Sequence, residues 1–487
     1  MSSIKKNYIF NSLYQILTLA VPLITTPYLT RVIGADGIGV YSYQYTITSY
    51  FTMFVLLGLE NYGNREIARH CRSKEDLSYT FSSIYCLQLF MGFLVTAAYG
   101  VYIVFSGENR LYVLVFGINV IAACLDINWS LYGLELFQSV AIRNVIIKFL
   151  TTVGIFLFVK NEADVIRYCM VMLLGNLATQ LSTWPIIRKR ITLVRPKIRD
   201  VFKHLVPNLW LFLTVISVSL YKTVDKVMLG VFDPQKTQVG FYELSERIIS
   251  IPNMLVVSLG TVMMPRISGM IARKDESYKE LILPSLLFTV SLASAMSFGI
   301  MGLSQEFVPL FYGEGFELCI RLYLILLPSS LFMSFANVIR TQYILPNCWD
   351  KTLMMSGISG NVVNIIINSL LIPSYGAVGA ALGTVCAEAL VCFYQAVSVR
   401  KDLPLKRYLE YILPLVVIGL VMFIVIFNLE IAGAIQSKMV KMIGKIMVGA
   451  VVYICGLIGY VFIIKKRGNA TDRKIVEFLN GFVPGKH

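Results

Sequence analysis

Leu409–Phe427, LEYILPLVVIGLVMFIVIF, runs for 19 residues with a single charge, Glu410. A helix needs about 20 apolar residues to cross the hydrocarbon core of a bilayer. The segment therefore reads as a transmembrane helix. Comparable runs recur along the whole chain: Ile9–Leu29, Tyr41–Leu59, Phe81–Phe105, Leu111–Leu134, Val140–Val159, Val165–Ile187, Val206–Leu229, Phe241–Met264, Ile282–Leu303, Leu322–Leu345, Leu353–Ile372, Ala377–Val399 and Val440–Ile464. Together they predict an all-α integral membrane protein of about fourteen transmembrane helices. Their length, and the lack of ten-residue alternation, argue against a β-barrel. The first run is too long, and too well followed by others, to read as a cleaved signal peptide.

Composition agrees. Of 487 residues, 56% are hydrophobic and 15% charged, with a mean hydropathy of +0.70. Soluble domains carry roughly 25% charged residues. So apolar a chain could not cover a water-facing surface, and lipid must solvate much of it.

The net charge of +15 could suggest nucleic acid, but its distribution does not. Cations gather in alternate loops: Lys5 and Lys6; Arg65, Arg69, Arg72 and Lys74; Arg188, Lys189, Arg190, Arg195, Lys197, Arg199 and Lys203; Arg266, Arg273, Lys274 and Lys279; Arg400, Lys401, Lys406 and Arg407; Lys465, Lys466, Arg467, Arg473 and Lys474. The other loops hold few, such as Arg110, Lys160 and Lys236. This is a positive-inside pattern with both termini in the cytoplasm, as in a bacterial plasma membrane. The nine cysteines are scattered without a CxxC pair, and His70, His204 and His487 have no partner motif. Neither a metal site nor a cofactor is expected. No GxxxxGK[ST] loop is present to drive an ATPase cycle.

An internal repeat organises the bundle. Ile38-Gly39-Val40-Tyr41-Ser42 matches Val239-Gly240-Phe241-Tyr242-Glu243, and each opens the second helix of a half. The run from Asn337 through Arg400 corresponds loosely to that from Asn128 through Arg188. Six helices separate matched points, so the halves share one orientation as parallel repeats. The expected division is a six-helix lobe over 1–200, a second over 201–405, and two additional helices with a tail over 406–487.

Ionisable residues within the runs carry the functional signal, because a charge at a helix centre costs about 2.5–3.5 kcal/mol on insertion scales. Asp126 and Lys148 lie near the middle of the fourth and fifth helices, with Arg143 toward one end of the fifth. Lys222, Asp225 and Lys226 share one face of the seventh helix at i, i+3, i+4, and Glu243, Glu246 and Arg247 repeat that spacing on the eighth. Arg340 lies near the end of the tenth helix and Glu388 within the twelfth. These side chains should line a wet cavity or pair across helices. Cations among them suit a pyrophosphate. Arg31, at the end of the first helix, is either a further cavity residue or an interfacial anchor. Glu60 and Arg65 close the second helix as gate candidates or as an ordinary helix end.

Neutral polar stripes accompany the charges. Asn361, Asn364 and Asn368 on the eleventh helix, and Asn176, Thr179 and Gln180 on the sixth, could bond sugar hydroxyls or glue helices together. Pro22, Pro27, Pro252 and Pro328 mark places where helices can bend.

The stretch Pro27-Tyr28-Leu29-Thr30-Arg31-Val32-Ile33-Gly34, with Gly37 through Ser42, resembles the opening of Wzx-type polysaccharide repeat-unit flippases. Gly58 through Ala68 and Asp225-Lys226-Val227-Met228-Leu229-Gly230 are similar to further family segments. The resemblance places the chain in the multidrug/oligosaccharidyl-lipid/polysaccharide flippase superfamily. It implies two six-helix lobes, two extra helices, alternating access, and an undecaprenyl-pyrophosphate oligosaccharide carried outward for capsule, O-antigen or exopolysaccharide assembly. Membrane lipid, a polysaccharide polymerase and chain-length machinery are the implied partners. The family's cavity residues vary, so no site is carried over. The rival functions are a lipid II flippase, a drug or cation antiporter using Asp126 or Glu388, and a membrane polysaccharide polymerase, against which the short outer loops argue.

Overall fold

The computed structural model describes residues 21–71, 73–107, 110–430 and 437–467. Every regular element among them is helical. The chain divides into two compact units, Met1–Gly240 and Phe241–His487. The first contains α1 (21–32), α2 (Gly34–Leu56), α3 (Leu59–His70), α4 (Lys74–Phe105), α5 (Arg110–Cys124), α6 (Asn128–Gly133), α7 (Phe137–Phe158), α8 (Val165–Leu181), α9 (Trp184–Arg188), α10 (Ile198–Lys203) and α11 (Leu205–Phe232). α12 (Thr237–Ala272) begins in the first unit, and the second holds the rest of it with α13 (Tyr278–Phe311), α14 (Glu317–Leu326), α15 (Ser329–Ile339), a π turn (Arg340–Ile344), α16 (Asp350–Tyr375), α17 (Ala377–Val399), α18 (Leu405–Asn428) and α19 (Lys438–Arg467).

Eleven described segments are long and apolar enough to span a membrane. The expected count of about fourteen is therefore not reached on that criterion. The three other runs differ in kind. The first is described only from residue 21, and its Ile9–Ala20 portion lies outside the described residues. The second lies in α2, which buries Ser42, Gln44, Thr46 and Thr48 and is too polar to qualify. The third lies in α11, where several side chains fall outside the described residues. Pro328 divides its helix as a proline can, with α14 ending at Leu326 and α15 starting at Ser329. Pro252 instead sits inside the continuous α12.

Between lipid-solvated helices there is little hydrophobic drive, so close packing and hydrogen bonds must hold them. In the first unit, Trp129 of α6 stacks on Phe81 of α4 at 5.3 Å, with Leu59, Ile67, Leu131 and Ile187 buried around it. Gly39 and Gly240 show how near two backbones can come. A Cβ on Gly39 would lie 1.8 Å from the Lys236 carbonyl oxygen, and one on Gly240 would lie 2.0 Å from that of Ala35. Each glycine thus covers the carbonyl four residues before the other. Beside this crossing, the Thr237 hydroxyl donates to Asp36 Oδ1 at 2.6 Å. The Lys236 ammonium donates to the carbonyls of Gly230 and Asp233 and lies 4.6 Å from the Tyr43 ring centroid.

In the second unit α13 is the inner helix, packed against α14, α15, α18 and α19. Gly419 of α18 lets the chain approach Ser294, whose hydroxyl donates to the Leu415 carbonyl at 3.1 Å. Tyr453 of α19 donates to the Ser291 carbonyl at 2.7 Å, and Tyr460 to that of Tyr411 at 2.6 Å. The last two helices are packed parts of this unit.

Candidate functional site

The fourth predicted helix is interrupted. It runs as α5 to Cys124, loses helical form over 125–127, and resumes as α6 at Asn128. The local cause is Asp126, whose Oδ1 accepts the Asn128 backbone N–H at 2.9 Å and Asn128 Nδ2 at 2.8 Å. A short polar side chain that bonds the backbone two residues on competes with the helix. Irregular backbone at membrane depth needs its polar groups satisfied by protein or water. Here side chains supply them. Gln88 Nε2 of α4 donates to the carbonyls of Ala123 and Asp126, both at 2.8 Å, and Trp184 Nε1 donates to that of Leu125 at 3.1 Å. Gln88 is itself oriented by Trp129 Nε1, which donates to its Oε1 at 3.1 Å.

Asn128 is the hub of a polar track. Its Oδ1 accepts Arg143 Nη2 from α7 at 3.0 Å, and its Nδ2 also donates to Gln180 Oε1 of α8 at 2.9 Å. Asn144 Oδ1 accepts Arg143 Nη2 at 2.8 Å and Nε at 3.2 Å. From Gln180 the track continues to Asn176 at 3.4 Å, and Asn176 Nδ2 donates to Asn119 Oδ1 of α5 at 2.6 Å. Arg143, Gln180 and Asn119 are buried. The structure thus brings Asp126 and Arg143 together through Asn128. It also spends the amides of Asn176 and Gln180 on helix–helix bonds. Lys148 sits half-buried near the middle of α7, with no ion pair or side-chain hydrogen bond among the described residues.

The remaining candidates are placed as follows. Arg31 is exposed and donates to the Pro27 carbonyl at 2.6 Å. Glu60 is exposed in the first turn of α3. Arg65 lies 3.5 Å from Glu66 and over the Tyr62 ring at 5.5 Å. The Lys222 side chain lies outside the described residues, while on the same helix Asp225 is buried and Lys226 half-buried. In the second unit, Arg247 Nε pairs with Glu243 Oε1 at 2.8 Å one turn away, and Glu246 is half-buried between them in sequence. Arg340 Nη2 donates to Asn337 Oδ1 at 3.2 Å. Glu388 is buried in α17, and on α16 Asn368 Nδ2 donates to Asn364 Oδ1 at 3.1 Å. Among the described residues no group of three His, Cys, Asp or Glu could hold a metal.

Sequence reasoning missed a largely buried ion pair between two helices. Lys445 of α19 and Glu306 of α13 meet at 2.7 Å, with side chains 4% and 15% exposed. The signal was present for Lys445, an ionisable residue inside the run Val440–Ile464. Glu306 lay just past the apolar run ending at Leu303. Gln88 was missed too, because a lone glutamine in an apolar run looks like any other polar substitution.

A model of a polysaccharide biosynthesis protein family matches residues 4–271, just over half of the chain. A candidate O-antigen transporter of Escherichia coli (strain K12) is 21% identical over 409 residues, which cover 82% of this chain and 97% of that protein. A candidate low-salt glycan biosynthesis flippase, Agl15 of Haloferax volcanii, is 24% identical over 301 residues, covering 62% of this chain and 63% of that protein. The fold is similar to that of the lipid II flippase MurJ in an inward closed conformation, with a TM-score of 0.78 at 18% identity over 94% of this chain and 100% of the other. It is also similar to an inward-facing multidrug resistance MATE transporter, with a TM-score of 0.56 at 15% identity over 79% and 97%.

Proposed function

We propose that this chain, which belongs to the polysaccharide biosynthesis protein family, is a flippase for lipid-linked oligosaccharide repeat units. The relatives named as an O-antigen transporter and a glycan biosynthesis flippase support that reading. The observation that carries it is Lys148. An ammonium near the centre of a membrane-spanning helix, with no ion partner among the described residues, needs water or an anion to solvate it. A cavity open to the pyrophosphate of a lipid-linked sugar supplies both. Arg143, held in place by the amides of Asn128 and Asn144, offers a planar donor for the same group. Asp126 fixes Asn128 and so positions the arginine from behind.

In this scheme the unit enters from the cytoplasmic leaflet of a plasma membrane, with both termini of the protein in the cytoplasm. The sugar and pyrophosphate occupy the cavity while the prenyl tail stays in lipid. Lobes over 1–200 and 201–405, with 406–487 appended, alternate their access. Arg31, Lys222, Asp225, Lys226, Glu243, Glu246, Arg247, Arg340 and Glu388 are the further cavity candidates, and Glu60 and Arg65 the gate. A polymerase and chain-length machinery receive the product.

The test uses a strain lacking the protein, whose lipid-linked repeat units are extracted and assigned to a leaflet. Accumulation on the cytoplasmic leaflet should be reversed by the wild-type gene and by Lys148→Arg. Lys148→Glu, expressed at the wild-type level, should fail to reverse it. Full complementation by Lys148→Glu would remove Lys148 from the site. No accumulation in the deletion strain would overturn the flippase reading and favour an antiporter.

A further inference from the structure

Between α9 and α10 the chain leaves helical form and lies as an extended strap along α4. The Thr192 amide donates to Ser78 Oγ at 3.0 Å and the Val194 amide to Ser82 Oγ at 3.1 Å. These serines are one turn apart on α4. Further along, the Tyr79 hydroxyl accepts the Lys197 amide at 3.3 Å and donates to Asp200 Oδ2 at 2.6 Å. The strap is thus fastened by its backbone and by the buried Ile191, which leaves most of its other side chains exposed.

Those side chains are of two kinds. From Arg188 to Lys203 there are seven cations, all exposed, and none forms an ion pair or side-chain hydrogen bond among the described residues. The one carboxylate in the stretch, Asp200, is taken by Tyr79. Interleaved with the cations are Leu193, 58% exposed, and Ile198, 76% exposed. A positive-inside bias requires only a count of cations in a loop. It does not require a fastened strap that presents apolar side chains beside them. Apolar groups next to lysine and arginine at the edge of a membrane are what an anionic lipid surface recognises.

We propose that the strap and α10 form a platform for the headgroups of anionic phospholipids, with Arg195, Lys197 and Arg199 on the phosphates and Leu193 and Ile198 dipping into the interface. Phospholipid is favoured over a soluble anion because a soluble ligand gives no reason to expose Leu193 and Ile198. The platform is independent of the transport reading.

The purified full-length protein, taken from mixed phosphatidylcholine and phosphatidylglycerol, is examined by native mass spectrometry for retained lipid. Wild type should retain phosphatidylglycerol in preference. The variant R195Q/K197Q/R199Q should lose that preference by at least about tenfold, whereas R273Q/K274Q, in another exposed basic loop, should keep it. Because removing cations can disturb insertion, L193S/I198S provides a second arm that keeps every charge and should also weaken retention. Equal retention of both lipids by wild type, or undiminished preference in the two strap variants, would overturn the platform. Displacement of phosphatidylglycerol by undecaprenyl pyrophosphate, with loss of that displacement in R195Q/K197Q/R199Q, would reassign the strap to substrate and overturn it as well.

Discussion

The fourth and tenth apolar runs, matched in the sequence, each carry an asparagine that accepts an arginine. Asn128 Oδ1 takes Arg143 at 3.0 Å and Asn337 Oδ1 takes Arg340 at 3.2 Å. The surroundings differ. Helix four unwinds at Asp126, and side chains from α4, α7 and α8 reach in to satisfy and use the break. Helix ten, divided earlier at Pro328, stays wound through Asn337 and runs on into a π turn, where the Leu345 amide bonds the Arg340 carbonyl at 2.9 Å. Its arginine donates back to Asn337, three residues earlier in the same helix. The first unit therefore spreads its polar groups across helices through neutral amides. The second keeps this pair local and places a cross-helix ion pair elsewhere, between Glu306 and Lys445. The two asparagine–arginine pairs thus differ in surroundings, and only the one beside the break at Asp126 joins four helices.

The largest expected effect breaks the second unit's side of this contrast. Lys445→Met leaves Glu306 largely buried without its partner and should cost about 3–5 kcal/mol. Glu306→Leu/Lys445→Met removes both charges and should recover to within about 1 kcal/mol of wild type. Denaturant unfolding in detergent measures both. If the single and double variants are equally unstable, the pair is packing and not electrostatics. A middle-sized effect tests the matched asparagines. Asn128→Leu removes three side-chain partners, Asp126, Gln180 and Arg143, and with every bond, local or interhelical, counted at the interhelical average of about 0.6 kcal/mol should cost about 2 kcal/mol. Asn337→Leu removes two, the Val256 carbonyl and Arg340, and should cost about 1 kcal/mol. Equal losses in thermal unfolding would erase the asymmetry drawn between the two units.

Much of this was legible in the sequence, because it follows from single helices. The helical spans could be read from apolar runs, and Asp126, Arg143 and Glu388 as intramembrane charges that are buried in the structure or tied into a buried network. The break at Asp126 was not legible. It depends on Gln88 and Trp184, which lie far off in the chain and look unremarkable in their own runs. Nor was the ring of bonds around Asn128, since hydropathy registers that a residue is polar but not which residue it meets. The polarity of α2 went the other way: a span read at Tyr41–Leu59 buries a row of hydroxyls and Gln44 inside its unit. Glu60 and Arg65 read as gate candidates or as an ordinary helix end, and the partner at 3.5 Å from Arg65 is its neighbour Glu66. Spacing gives reach, and only the fold gives the choice among partners within reach.

The smallest expected effect sharpens the contrast between neutral and charged devices, and lies where the first unit meets water. His204, between α10 and α11, is in a 2.7 Å hydrogen bond with the Tyr62 hydroxyl through Nδ1. Burial holds its imidazole below the ordinary value of 6.5, with Glu66 pulling the other way, and burial pushes the Tyr62 phenol up to about 12. The unfolded chain therefore binds a proton to this histidine more readily than the folded one. The stabilisation is complete above pH 6.5 and declines as pH falls through that value toward the lower folded one. Hydrogen exchange of peptides spanning Ile198–Phe212 should accelerate between pH 7 and pH 5.5, after correction for the intrinsic pH dependence of exchange. Peptides of the second unit, which has no histidine among its described residues, serve as the reference. His204→Gln should flatten the first response and leave the second unchanged. A response that survives the substitution would mean that a neutral His204 does not hold the junction.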